Sequence, residues 1–284
     1  MRGSAAAADG YSLAVTRFAA TGKPWTTLVI GGAMGVRQDF YHPYARYLAA
    51  NGVRVLTFDY RGMGWSRPPG NLRALETDVS VWAEQDLEGM LTEASDAAPD
   101  LPLTFMGHSL GGQLLGVLPG NERVRAALTV TAGSGYYKLN ERMPVGVRFL
   151  WFVAIPALTP IFGYFPGKPL RMVGDLPRGV AWQWRKWCLH PEYLLAEGDG
   201  YRNAFERVKV PIRSYSFDDD WLINRQAVDH LHTFYSAAPV ERLHMTPADR
   251  GVKRIGHFGF FLPAAEPTFW AESLAWLRSK VETA

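Results

Sequence analysis

The segment Gly107-His108-Ser109-Leu110-Gly111 constrains this chain more than any other. An apolar run, Leu101 to Met106 (LPLTFM), precedes it, and an apolar stretch with helical character, Gly111 to Leu118, follows. A serine in that setting has to sit on a sharp turn at the carboxyl end of a buried strand. The residues two before and two after it must be small, because the turned backbone approaches itself closely. Glycine stands at both places, with Gly112 added. The helix that follows turns its amino-terminal N–H groups toward the serine, where they favour negative charge. The segment therefore asks for a strand, a tight turn and a helix in direct succession.

The rest of the chain supplies the sheet that such a turn needs. Thr27 to Ile30 (TLVI) reads as a short strand ending at Gly31-Gly32. Phe40, Tyr44, Tyr47 and Leu48 then recur at helical spacing and stop at Asn51-Gly52, a natural helix terminator. Val53 to Phe58, Ala126 to Val130, Pro211 to Phe217 and Val240 to Met245 are further strand candidates. Helical stretches are expected around Val79 to Ala94 and after Glu266. Strands alternating with helices predict an α/β fold, a mostly parallel sheet wrapped by helices on both faces. With 284 residues, 48% apolar and 20% charged, the chain has the make-up of a globular protein. A single domain of this size buries roughly three quarters of its extended surface.

Residues 134–200 break the alternation. They hold seven prolines and four tryptophans, and few β-branched runs. The expected division is a core of 1–133 and 201–284, interrupted by a mainly helical cap over 134–200. Within the cap, Val180, Trp184, Trp187 and Cys188 share one face of a helix that begins after Pro177. No charged residue occurs from Phe149 to Gly167, about the length of a membrane helix. Pro156 and Pro160 interrupt it, which argues against a span and for an apolar cap over a pocket. Trp151, Phe152, Phe162, Trp184 and Trp187, with Trp221 further on, are the candidate lining of that pocket.

Charge and cysteine usage exclude other classes. Thirty Lys and Arg against 27 Asp and Glu leave a net charge of +3, with no run of like charge to grip nucleic acid. The single cysteine, Cys188, forbids an internal disulfide and a multi-cysteine zinc site. No metal or other cofactor is expected. Met1 to Gly10 (MRGSAAAADG) has no apolar stretch, so neither a signal peptide nor an anchor is read there, and its first few residues resemble an appended tag. The cytoplasm is the expected compartment, with one reduced thiol in agreement.

A serine hydroxyl is a weak nucleophile that needs a base and an orienting acid. Where it sits on such a turn, the chain order is Ser, acid, His. Tyr215-Ser216-Phe217 closes a strand and leads directly into Asp218-Asp219-Asp220-Trp221, which places an acid at the same sheet edge as Ser109. The spacing favours Asp220, then Asp219. His257 lies in Gly256-His257-Phe258-Gly259-Phe260-Phe261, where the glycines permit a tight loop and the aromatics can pack the imidazole. His42, His190, His230, His232 and His244 fall on helix or strand patterns. His108 is expected to pack beside the site without acting as its base. Acyl transfer also needs two backbone donors for an oxyanion. Leu110 is one candidate, and Met34 or Ala33, in Gly31-Gly32-Ala33-Met34-Gly35, is the other.

In this order the motifs resemble the α/β-hydrolase fold superfamily over nearly the whole chain. More narrowly, the chain resembles a group of bacterial predicted α/β hydrolases similar to serine hydrolases and monoacylglycerol-lipase-like enzymes. The segments that carry the resemblance are GGAMGVRQDFY from Gly31, FDYRGMGWSRP from Phe58, GHSLGG from Gly107, FDDDW from Phe217 and GHFGFF from Gly256. It implies Ser109 as nucleophile, Asp220 as acid and His257 as base. Gly31-Gly32 stands where His-Gly is commoner in esterases, a departure that bears on the second oxyanion donor. The expectation is a serine hydrolase that cleaves a carboxylic ester, or a related acyl bond, of a small apolar substrate. The alternatives are an acyltransferase on the same fold and a catalytically silent protein that binds a small molecule.

Overall fold

The computed structural model describes residues 1–140, 145–170 and 172–282. The strands in chain order are β1 (Arg2–Ala6), β2 (Ser12–Phe18), β3 (Thr26–Gly31), β4 (Val53–Phe58), β5 (Leu103–His108), β6 (Val124–Val130), β7 (Tyr164–Pro166), β8 (Asp175–Pro177), β9 (Ile212–Phe217) and β10 (Val240–Met245). Eight of them form one sheet in the order β1-β2-β4-β3-β5-β6-β9-β10, and β7 and β8 pair separately. The β1–β2 and β2–β4 pairs are antiparallel, and every other pair in the large sheet is parallel. Every residue of β3 and β5 is buried, as a strand covered on both faces requires. β10 lies at the edge, where exposed Glu241 and Arg242 discourage further pairing.

The helices are α1 (His42–Ala50), α2 (Val79–Val81), α3 (Glu88–Asp96), α4 (Leu110–Gln113), α5 (Val145–Phe149), α6 (Ile155–Phe162), α7 (Arg178–Leu189), α8 (Asp199–Arg207), α9 (Arg225–His232) and α10 (Ala271–Glu282). Widened π-type turns, Trp82–Leu87 and Leu150–Ala154, join α2 to α3 and α5 to α6. Alternation along the strands divides the core. Val29 and Phe105 belong to a cluster with Trp82, Leu87 and Leu114, whereas Leu28, Ile30 and Met106 belong to one with Tyr44, Phe217, Phe260 and Leu277. Elements from residues 134–200 join the first cluster through Leu150, Trp151, Ile155, Phe165, Leu176, Val180 and Trp187. That stretch is therefore continuous with the first cluster, and its helix α7 meets α2.

Two local features depart from the sequence pattern. Arg2–Ala6 form an edge strand in register with β2, from Arg2 opposite Thr16 to Ala6 opposite Ser12. The sequence RGSAA has no β-branched residue, so the exposed edge of β2 decides this strand and intrinsic preference does not. The helix after Ser109 is also shorter than its apolar run suggests. It passes into a 3-10 turn at Leu114–Val117, where Gly111, Gly112 and Gly116 weaken a regular helix.

Candidate active site

Ser109 follows directly on the last residue of β5, in the middle of the sheet. Its backbone has φ 50° and ψ −115°, a strained combination for a residue with a side chain. Hydrogen bonds on both sides maintain it. The Ser109 N–H donates to the Val130 carbonyl on β6 at 2.9 Å, and its own carbonyl accepts from the Gly112 and Gln113 amides. The glycine requirement read from the motif has a direct physical cause. A Cβ on Gly111 would lie 2.1 Å from the carbonyl oxygen of Gly31, at the end of the neighbouring β3. Only a residue without a side chain lets α4 begin that close to β3.

The turn after β9 gives its three aspartates three different settings. Asp218 is exposed, with its carboxylate 3.8 Å from His244. Asp219 accepts the backbone amides of Ile255 and Gly256 at 2.8 and 2.9 Å, so it fixes the loop that carries His257. Asp220 is buried, and its Oδ2 lies 2.7 Å from His257 Nδ1. Its other oxygen accepts the N–H groups of Leu222 and Ile223. An acceptor on Nδ1 leaves Nε2 of a neutral imidazole as the basic nitrogen. The His257 ring lies 5.2 Å from that of His108, the residue before Ser109, with Phe258 edge-on at 5.0 Å. Among the described residues, neither the Ser109 hydroxyl nor His257 Nε2 has a hydrogen-bond partner, and catalytic contacts often tighten only when substrate is present.

A buried chain of hydrogen bonds runs beneath these groups. The Ala33 amide donates to the Tyr41 hydroxyl at 2.8 Å, so Tyr41 donates its own proton to His108 Nδ1, 2.9 Å away. His108 then carries its hydrogen on Nε2 and donates it to the carbonyl of His257 at 2.9 Å. Burial, and next the nearby His257, hold the His108 pKa well below its ordinary value, so the ring is neutral. The hydroxyl of Thr131, itself at φ 48°, shares its proton between the Val130 carbonyl at 2.8 Å and the His257 carbonyl at 3.3 Å. The chain links the loop after β3, the serine turn and the histidine loop. Sequence reasoning placed His108 beside the site but missed Tyr41 and Thr131. Tyr41 closes the GGAMGVRQDFY segment, where no local pattern points it to the site.

Of the two candidates after β3, Ala33 is already engaged by Tyr41, which leaves the Met34 amide. Neither the Met34 nor the Leu110 amide donates to another backbone group among the described residues. Gly35, at φ 77°, shows how near residues 134–200 come to this loop. A Cβ there would lie 1.9 Å from the Val173 carbonyl oxygen.

The aromatic candidates occupy different positions. Trp151 and Trp187 are buried in the core cluster. Trp187 donates its indole N–H to Glu197, and Trp184, half-buried, meets the Trp151 ring edge-on at 4.4 Å. Phe152 is 50% exposed on the outside of the helix. Trp221 borders a cleft of about 430 Å³ that it shares with Asn140, Asn224 and the Asp218 to Asp220 turn. Among the described residues, no cluster of three or more His, Cys, Asp or Glu side chains could hold a metal ion.

Residues 28–150 match the family described as alpha/beta hydrolase fold. A Schizosaccharomyces pombe protein named "Putative monoglyceride lipase" is 34% identical over 92 residues. That match covers 32% of this chain and only 24%, about a quarter, of the yeast protein. Among solved structures, an esterase of Pyrococcus furiosus superposes with a TM-score of 0.64 at 15% identity, covering 98% of this chain and 92% of the other. An esterase from Exiguobacterium antarcticum gives 0.62 at 17% identity, covering 99% and 100%. At these identities the structural likeness establishes the fold.

Proposed function

We propose that this chain, whose residues 28–150 match the alpha/beta hydrolase fold family and whose fold superposes on solved esterases, is a serine hydrolase acting on a carboxylic ester or related acyl bond. The observation that carries this reading is the buried Asp220–His257 pair, its imidazole 5.2 Å from the ring of His108, which directly precedes a serine held in a strained turn. His257 Nε2 takes the Ser109 proton as Oγ attacks the acyl carbonyl. Asp220 holds the imidazole in the required tautomer and stabilises the imidazolium that forms. The Leu110 and Met34 amides receive the oxyanion. Collapse of the tetrahedral intermediate expels the alcohol, which takes its proton from His257. Water, activated by the same imidazole, then releases the acid and restores Ser109.

The substrate proposed is small and apolar on its acyl side. Its support is the approach of residues 134–200 to the Met34 loop through Val173, where half-buried Met34, Met172 and Val173 pack against the core. A panel of nitrophenyl esters of increasing chain length, with matched thioesters and amides, tests the reading. Turnover rising from acetyl to octanoyl esters is the expected result, and preference for acetyl would contradict the apolar pocket. Added alcohol or thiol separates hydrolysis from acyl transfer: free acid as the main product supports the proposal, and predominant transfer overturns it.

A further inference from the structure

A surface helix normally turns a polar face outward. The helical segment from Val145 to Phe162 does not. One face is packed into the core through Leu150, Trp151, Ala154 and Ile155. The opposite face follows helical spacing through Val145, Phe149, Phe152, Val153 and Ile161, all exposed, with Ile161 at 67%. Arg148 is the only charged side chain on the described segment. The segment is long and apolar enough to cross a membrane, but its packed inner face and its two prolines, Pro156 and Pro160, keep it on the protein. A contiguous exposed apolar face of this kind marks a surface that something apolar covers.

The surrounding charge identifies the occupant. From Ser134 to Gly174 the described residues carry Lys138, Arg148 and Lys168 and no acid. Lys138 lies over the Tyr137 ring, which packs on Phe152, and Arg73 donates to the Phe162 carbonyl at the other end of the helix. Cations therefore stand near both ends of the apolar face as well as on it. A second copy of this chain would bring these cations against their own kind. A lipid surface accepts Phe, Val and Ile at the acyl boundary and offers anionic phosphates to the Arg and Lys side chains.

We infer that the outer face of Val145–Phe162 is a peripheral docking surface for anionic lipid bilayers. This inference does not depend on the proposed reaction, because its test reads binding. The full chain is centrifuged with vesicles of phosphatidylcholine alone and of phosphatidylcholine mixed equally with phosphatidylglycerol. Two variants accompany the wild type: Phe149→Ser/Val153→Ser/Ile161→Ser and Arg148→Glu/Lys168→Glu. All five positions are exposed, so each variant should melt at the wild-type temperature. The wild type is expected to sediment with the mixed vesicles and much less with phosphatidylcholine. The apolar variant should lose binding by about tenfold or more. The charge variant should lose about tenfold at low salt and less as salt is raised. A wild type that stays in solution with the mixed vesicles overturns the inference, as does an apolar variant that sediments like the wild type. A vesicle-free dimer that the same three serines convert to monomer, without vesicle binding, assigns the face to a second copy and also overturns it.

Discussion

Asp220 Oδ2 lies 2.7 Å from His257 Nδ1, with both side chains almost wholly removed from solvent. The two residues come from loops at the ends of neighbouring parallel strands, β9 and β10, and the sheet's order sets their separation in space. Asp219, one residue earlier, is spent on the backbone of the histidine loop. Adjacent carboxylates thus have separable jobs, one toward the imidazole and one toward the loop that presents it.

That separation predicts different consequences for two isosteric changes. Asp220→Asn should lower kcat by about four orders of magnitude, because an amide no longer enforces the required imidazole tautomer. Asp219→Asn should mainly lower stability, by about 1–3 kcal/mol, since two loop amides lose a charged acceptor. Steady-state kinetics and urea denaturation of both variants check the split. Equal losses of kcat would contradict it.

The Ala33–Tyr41–His108–His257 chain makes a second prediction. Tyr41→Phe removes one oxygen and leaves the Ala33 N–H and His108 Nδ1 without their partner in a buried place. A loss of about 1–3 kcal/mol in unfolding free energy follows. Denaturant titration measures it, and an unchanged midpoint would show that the chain carries no stability.

Close approach at the serine turn predicts a steric effect. Gly111→Ala puts a Cβ against backbone that cannot swing aside, so it should cost about 3 kcal/mol or abolish soluble expression. Gly200→Ala, on α8 with open space around the new Cβ, should be neutral or stabilise by up to about 1 kcal/mol. Comparing the two melting curves checks this.

How far the sequence revealed the site depended on whether local pattern or tertiary context decided each residue. The strands β4 and β10 follow their apolar pattern to the residue, and Ser109, Asp220 and His257 follow from strand ends and loop glycines. Tyr41 could not be found this way, because its hydroxyl meets His108 across 67 residues of chain. β1 was equally hidden, since an edge that needs a partner recruits a segment with little strand preference. Asp219 was legible as an acid beside the site, but its role needed the position of the Ile255 and Gly256 amides.

Stability should depend on pH through His232. Burial lowers its pKa from 6.5 to about 4, while its Nδ1 lies 2.8 Å from the Val228 carbonyl. The unfolded chain therefore binds the proton first. The stability gained by keeping this ring neutral is present above about pH 6.5 and is lost as pH falls toward 4, by about 3 kcal/mol at most. His232→Gln should flatten the slope of unfolding free energy across that window. Parallel slopes in wild type and variant would contradict the assignment.

The most direct measurement is reaction with a fluorophosphonate followed by mass spectrometry of the tryptic peptides. The account predicts one phosphonyl adduct, on Ser109, absent from Ser109→Ala and strongly slowed in His257→Ala, with ester turnover lost in step. An adduct on another residue, or Ser109→Ala hydrolysing esters at the wild-type rate, would contradict it.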